Sequence, residues 1–170
     1  MRVVTIRHTF AVTLAAAVGL ALAGSGTAHA DAARYRLTAA HSGKCLDVDS
    51  GSGQNGARTH QWRCLPGVGS QLWEARRLDD RAYLLVAGHS GMCLTVWGGS
   101  RADEARVIQA DCRYGNHQRW WIGKNADGSW RIIAKHSGKC LDVAWAGHDD
   151  GTKIVQSRCW GGDNQRWRLS

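Results

Sequence analysis

The sequence predicts an all-β domain built from three copies of one strand-rich module. Its first indication is a repeat. His41-Ser42-Gly43-Lys44-Cys45-Leu46-Asp47-Val48 returns as His89-Ser90-Gly91-Met92-Cys93-Leu94-Thr95-Val96, and again as His136-Ser137-Gly138-Lys139-Cys140-Leu141-Asp142-Val143, at steps of 48 and 47 residues. A fixed period of this length marks an architecture made of stacked equivalent units. The second indication is that apolar runs such as Tyr83-Leu84-Leu85-Val86 and Trp130-Arg131-Ile132-Ile133 are short, with Gly, Asn, Asp and Ser between them, as in strands joined by tight turns. The third is that no stretch after Asp31 keeps a helical period for three turns.

The N-terminal segment stands apart from the modules. Arg2 and Arg7 precede an apolar run from Phe10 to Ala23, and Ala28-His29-Ala30 has the small-x-small form of a cleavage site, so residues 1–30 read as a secretory signal peptide. The run is shorter than the roughly 20 residues that a membrane span requires. A mature chain starting at Asp31 has 140 residues, with 20 Lys and Arg against 14 Asp and Glu and a net charge of +6. That length suits one domain. A secreted, extracellular protein with no membrane insertion is therefore expected, and a monomer is the default.

Composition removes several classes. Charged residues make up 21% of the chain and no Gly-x-y period appears, which argues against coiled coil, collagen and disorder. The cations are scattered singly or in pairs such as Arg76-Arg77, whereas a nucleic-acid surface needs a basic run or stripe, so no nucleic-acid partner is expected. The large apolar side chains are concentrated in nine Trp, with one Phe.

Each module adds two further landmarks. A second cysteine lies nineteen positions after the first (Cys64, Cys112, Cys159), followed by Gln71-Leu72-Trp73, Gln118-Arg119-Trp120 and Gln165-Arg166-Trp167. About four strands per module are expected, near 35–39, 45–48, 58–63 and 72–77 in the first, hence about twelve in all. The modules span about 35–78, 82–125 and 129–170 within a domain of residues 31–170, and Asp79-Asp80-Arg81 and Asn125-Ala126-Asp127-Gly128 serve as turns at the joins.

Six cysteines in a small secreted chain are expected to be oxidised, and although six allow fifteen pairings, the repeat favours one in which each module closes its own pair. The expected bridges are Cys45–Cys64, Cys93–Cys112 and Cys140–Cys159. Each closes a loop of about twenty residues and contributes roughly 3 kcal/mol in the chain-entropy model. Zinc sites use close spacings such as C-x2-C, which do not occur, so no metal and no cofactor is expected.

Gly-x-Cys-Leu-Asp-Val, a second Cys nineteen residues on and then Gln-x-Trp, three times over, resembles the ricin B-type lectin family, also called carbohydrate-binding module family 13. The resemblance covers the whole mature chain. It implies a β-trefoil of three pseudo-equivalent lobes about a threefold axis, each able to hold a sugar in a shallow pocket.

Three copies in one chain provide an internal control, since features the architecture requires should occur in all of them and features that serve ligand binding can differ. Common to all are the Ser-Gly turn, both cysteines, the Leu and Val of the second strand, and the Gln and Trp of Gln-x-Trp. Trp73, Trp120 and Trp167 are expected in the core. Asp47 and Asp142 are matched by Thr95 in the middle copy; a carboxylate can grip two neighbouring sugar hydroxyls through two oxygens, which a threonine cannot. A sugar also needs an aromatic plate for its apolar face. The resemblance places that plate two residues before the second cysteine, at Trp62, Ala110 and Ser157, with Trp160 available as a substitute in the third copy and Trp97 and Trp145 as spare or rim aromatics. It further implies a polar contact from an Asn just before Gln-x-Trp, present only as Asn164, with Ser70 and His117 in its place elsewhere, and a Gln that borders the pocket.

The expected carbohydrate-binding residues are thus Asp142, Trp160, Asn164 and Gln165 in lobe three and Asp47, Trp62 and Gln71 in lobe one, with lobe two silent. Catalytic residues are not assigned. His41, His89 and His136 occur once per module, and active sites rarely come in threes, so they read as turn scaffolding. Asp149-Asp150 lacks an evident partner carboxylate for glycoside hydrolysis, and no Gly-x-Ser-x-Gly, His-Glu-x-x-His or phosphate loop is present. The expected partner is a polysaccharide or cell-surface glycan. A protein-interaction or inhibitor trefoil is the alternative, and a small glycoside hydrolase a further one.

Overall fold

Short apolar runs between glycine turns fold as short antiparallel strands, because each turn returns the chain before a longer element can form. The computed structural model describes residues 33–78 and 80–170; the expected signal peptide lies outside the described residues. Lobe one contains β1 (Arg34–Tyr35), β2 (Leu37–Ala39), β3 (Cys45–Val48), β4 (Thr59–Trp62) and β5 (Trp73–Arg77). Lobe two contains β6 (Tyr83–Ala87), β7 (Cys93–Val96), β8 (Ala105–Ala110) and β9 (Trp120–Lys124). Lobe three contains β10 (Trp130–Ala134), β11 (Cys140–Val143), β12 (Ile154–Ser157) and β13 (Trp167–Leu169).

There are thirteen strands against the twelve expected because the segment near 35–39 is split at Arg36. β1 pairs with β5, through Tyr35 opposite Trp73, whereas β2 pairs with β13, through Leu37 opposite Leu169. Arg36, hydrogen-bonded to Ser170, is where the chain passes from one neighbour to the other. Successive pairings β1·β5, β5·β6, β6·β9, β9·β10, β10·β13 and β13·β2 close a barrel, so the barrel itself has no free edge. The hairpins β3·β4, β7·β8 and β11·β12 cap one end, joined by β8·β12 and by bridges Arg58 to Ile108 and His60 to Lys153. This is a β-trefoil with one hairpin per lobe.

The core lies on the barrel axis. Trp73, Trp120 and Trp167 are each at most 1% exposed, and each donates its indole N–H to a carbonyl of the same lobe: Leu46 at 3.1 Å, Leu94 at 2.9 Å and Leu141 at 3.1 Å. Burial of a Trp is favourable only when that N–H is satisfied, and here the first Leu of the repeat supplies the acceptor. The bridges are Cys45–Cys64, Cys93–Cys112 and Cys140–Cys159, each with a Cα–Cα distance of 5.1 Å.

The remaining repeat residues tie lobe to lobe. His41, His89 and His136 bond through Nε2 to the carbonyls of Gly147, Ser52 and Ser100; a carbonyl only accepts, so Nε2 carries the proton. Within each lobe Ser42, Ser90 and Ser137 donate to the fully buried Gln61, Gln109 and Gln156, and these glutamines donate through Nε2 to the same carbonyls of Gly147, Ser52 and Ser100 in the neighbouring lobe. Asp150 accepts from Lys44 at 2.6 Å and from Arg63 at 3.0 Å, which places it in an ion-pair clamp between lobes.

Candidate functional site

The second strand and the Gln-x-Trp turn of each lobe meet at one point, and that junction carries the candidate sites. In lobe one Asp47, on β3, is 6% exposed and faces the 3-10 turn Gly69–Gln71. Gln71 Nε2 donates to Asp47 Oδ2 at 2.9 Å and to the Arg63 carbonyl at 3.0 Å, while its Oε1 accepts from Leu65 N–H at 2.8 Å. Both amide hydrogens of this glutamine are therefore used, and the side chain has no exposed surface to offer a ligand. Its effect is to fix one carboxylate oxygen, leaving Asp47 Oδ1 buried and free of protein partners. A buried acceptor of that kind is costly unless a donor such as a sugar hydroxyl reaches it.

Beside Asp47 lies a cleft of about 410 Å³ whose lining includes Asp47, His60, Trp62, Leu65, Val68 and Ser70. Trp62 stacks on His60 with ring centroids 5.3 Å apart and planes inclined by 20°. The two share a face because strand side chains alternate with period two: Thr59 and Gln61 point inward from β4, and His60 and Trp62 outward. His60 Nε2 is also 3.9 Å from Asp47 Oδ2. Burial alone raises the carboxyl pKa of Asp47, but the contacts of His60, Gln71 and Ser70 outweigh it and hold this group below its ordinary value.

Lobe three repeats the frame with different walls. Gln165 Nε2 donates to Asp142 Oδ2 at 2.7 Å and to the Arg158 carbonyl at 3.0 Å. Asn164 Nδ2 donates to Asp142 Oδ1 at 2.8 Å and to the Val143 carbonyl at 3.1 Å, so here the acceptor without a protein partner is Asn164 Oδ1. The cleft, of about 330 Å³, is lined by Glu104, Asp142, Trp145, Ala146, Ser157, Trp160 and Asn164. Burial pushes the carboxyl pKa of Asp142 up to about 6; the Gln165 and Asn164 amides oppose this, and the like charge of Glu104 adds to it. Equivalent carboxylates are thus shifted in opposite directions.

Two indoles stand in this cleft, 62% exposed at Trp160 and 76% at Trp145. Trp160 lies flat against Gly162, where a Cβ would fall 1.9 Å from ring atom Cη2. Trp145 holds φ +54, a left-handed conformation disfavoured for a bulky residue, with Lys153 Nζ 5.3 Å from its ring centroid. Glu104 comes from lobe two and accepts from Ser157 Oγ at 3.2 Å. In lobe two, Thr95 donates to the Cys93 carbonyl and accepts from Gln118 Nε2, Ala110 stands opposite Cys93 and His117 occupies the Asn position, so neither carboxylate nor plate is present.

The structure brings Asp47 and Trp62 into one cleft and Asp142, Trp160 and Asn164 into the other, with Gln71 and Gln165 immediately behind. His60, Ser70, Glu104 and Ser157 line the clefts in addition to the residues expected from the sequence, and Trp145 is a wall of the lobe-three cleft rather than a spare aromatic. His60 was legible from its two-residue spacing to Trp62. Glu104 was not, because it belongs to a neighbouring lobe.

Residues 33–167 match the family model described as the ricin-type beta-trefoil lectin domain. No curated protein matches the chain. Among solved structures, the designed 3-fold symmetric protein ThreeFoil has a TM-score of 0.78 at 43% identity, covering 80% of this chain and 96% of that one. An exo-beta-1,3-galactanase from Clostridium thermocellum has a TM-score of 0.79 at 36% identity over 82% of this chain, which spans only 30% of that protein. A Macrolepiota procera ricin B-like lectin, solved in complex with lactose, shares the fold at a TM-score of 0.70 and 20% identity, covering 82% and 95% of the two chains. With the trefoil, the triplicated Gln-x-Trp frame and the match over residues 33–167 together, this chain belongs to the ricin-type β-trefoil lectin domain family.

Proposed function

We propose that the protein is a secreted, non-catalytic lectin that holds a polysaccharide or cell-surface glycan through the clefts of lobes three and one, with lobe two silent. One observation carries this reading: each of the two clefts sets a buried carboxylate, fixed by a glutamine amide, beside an indole that is at least partly exposed. Sugars present hydroxyl pairs on their edge and C–H groups on their face, and this combination of acceptor and ring is complementary to both. Gln71 and Gln165 position the carboxylates, while Asp47, Trp62 and His60, and Asp142, Asn164, Trp145 and Trp160, meet the sugar. The lactose complex of the Macrolepiota procera lectin accords with such a ligand. Three disulfides and the N-terminal segment support secretion.

Shallow clefts with one or two rings give weak single sites, and a millimolar site is worth only about −4 kcal/mol. Two clefts on one chain raise retention on a repeated ligand by roughly 10²–10⁴ where the spacing fits. Polymers and glycan-covered surfaces are therefore the favoured targets.

Lobe three also presents the arrangement a hydrolase would use, two carboxylates in one cleft at Asp142 and Glu104. Both oxygens of Asp142 already accept amide hydrogens, which favours a positioned acceptor over a proton donor. A glycan array on the mature protein and its Asp47→Ala and Asp142→Ala variants, with turnover measured on aryl glycosides, tests the proposal. Glycan retention that falls in both variants without turnover supports it; no retention on any glycan contradicts it.

A further inference from the structure

Arg58, Arg106 and Lys153 stand at equivalent points of the three modules, at steps of 48 and 47 residues, each one position before Thr59, Val107 and Ile154. These six residues line a cleft of about 150 Å³. Equivalence places it on the pseudo-threefold axis, at the hairpin end, where Arg58 bridges Ile108, Arg106 pairs with Val155 and Lys153 bridges His60. It shares no lining residue with either sugar cleft.

Arg58, Arg106 and Lys153 are all exposed, and among the described residues none of the three forms an ion pair. Other cations of the fold behave differently. Lys44, Lys139 and Arg119, for example, each meet a carboxylate at 2.6, 2.6 and 2.8 Å. Two of the axial cations rest instead on indoles: Arg106 Cζ lies 5.3 Å from the Trp97 ring centroid and Lys153 Nζ 5.3 Å from that of Trp145. An indole face attracts a cation without consuming its N–H donors. The floor is buried, with Thr59, Val107 and Ile154 each at most 2% exposed and Thr59 donating to the Val107 carbonyl at 2.8 Å.

We propose that this axial cleft is a second ligand site, specific for a tetrahedral oxyanion, sulfate or phosphate, held by one cation from each lobe. Seen along one S–O or P–O bond, such an ion shows three oxygens related by a threefold axis, and the three modules supply one cationic residue each to the lining of this cleft. The same group occurs free and as an ester on an acidic glycan. Binding of the ester would deepen the lectin reading and rests on it; binding of the free ion does not. Trp145 connects the two sites, because it both walls the lobe-three cleft and carries Lys153.

The test is NMR titration of the mature chain with sodium sulfate and with inorganic phosphate at ionic strength held constant with sodium chloride. Saturable shifts are expected at the amides of 58–59, 106–107 and 153–154. The combined variant Arg58→Gln, Arg106→Gln, Lys153→Gln should weaken binding at least about tenfold. Arg77→Gln, Arg101→Gln, Arg131→Gln, which removes equal charge from exposed positions off the axis, should leave it unchanged, as should Asp47→Ala with Asp142→Ala. Competition by a sulfated oligosaccharide, absent with its desulfated form, identifies the ester as ligand, whereas sulfate binding without that competition identifies the free ion. Shifts that do not saturate, that fall equally in the off-axis variant or that persist in the axial one overturn the proposal.

Discussion

Ser157 of lobe three donates its hydroxyl hydrogen to Glu104 of lobe two at 3.2 Å. This bond places a neighbouring module's carboxylate in the lobe-three cleft, beside Asp142. In lobe one Trp62 stands at the Ser157 position and Gly151 at that of Glu104, and the group beside Asp47 is His60. One repeated frame therefore carries two electrostatic environments, and the lobes should respond differently to pH.

Asp142 has a folded pKa raised to about 6, so its acceptor strength is lost as pH falls through 6. Binding at lobe three should weaken between pH 7 and 5. Asp47, held below its ordinary value, should keep lobe one active across the same range. Sugar titrations of Asp47→Ala and Asp142→Ala across this range check both. The stability sign follows from the same shift: a raised carboxyl binds its proton more tightly when folded, so its contribution favours folding at low pH and declines as pH rises from about 4 to 6. Asp142→Asn should remove that slope.

Trp145 combines a left-handed φ of +54 with 76% exposure, and the equivalent position in lobe two is Gly98, at φ +61. Trp145→Gly should raise stability by about 1 kcal/mol, as strain in this region is of that order, while weakening lobe three. Thermal melts and sugar titration of the one variant measure both. Unchanged binding would remove Trp145 from the site.

Gln165→Ala removes the donor to Asp142 Oδ2 and leaves Trp160 and Gly161 N–H without their acceptor. The expected cost is about 1–3 kcal/mol of stability, with loss of lobe-three binding in protein that still folds. Denaturant melts and the pH profile of residual binding distinguish displacement of the carboxylate from general damage.

Gly162→Ala should displace the Trp160 ring, because the new Cβ would fall 1.9 Å from Cη2. Binding at lobe three should fall severalfold with little change at lobe one. Trp160 fluorescence against a Trp160→Phe reference reads the movement.

The fold was legible because triplication fixes it. Each landmark recurs at a constant step, and the within-lobe disulfides and core tryptophans follow from that recurrence. The break at Arg36 was not legible, since it depends on which strands flank the first segment and one of them is the last strand of the chain. In the sites, Asp47, Trp62, Asp142 and Asn164 stood out by differing among copies. His60 is not singled out by the module comparison, but its two-residue spacing to Trp62 puts it on the same strand face. Glu104 and the Lys153 support of Trp145 arise from contacts between segments remote in sequence, which a comparison of modules with one another does not reveal.

The central claim is that the frame is shared while two of the three lobes hold sugar. Isothermal titration of the mature protein with an oligosaccharide selected on the array tests it most directly. Two sites per chain are predicted, one in either Asp47→Ala or Asp142→Ala and none in the double variant. A stoichiometry of three, or sites that survive in the double variant, would contradict the account.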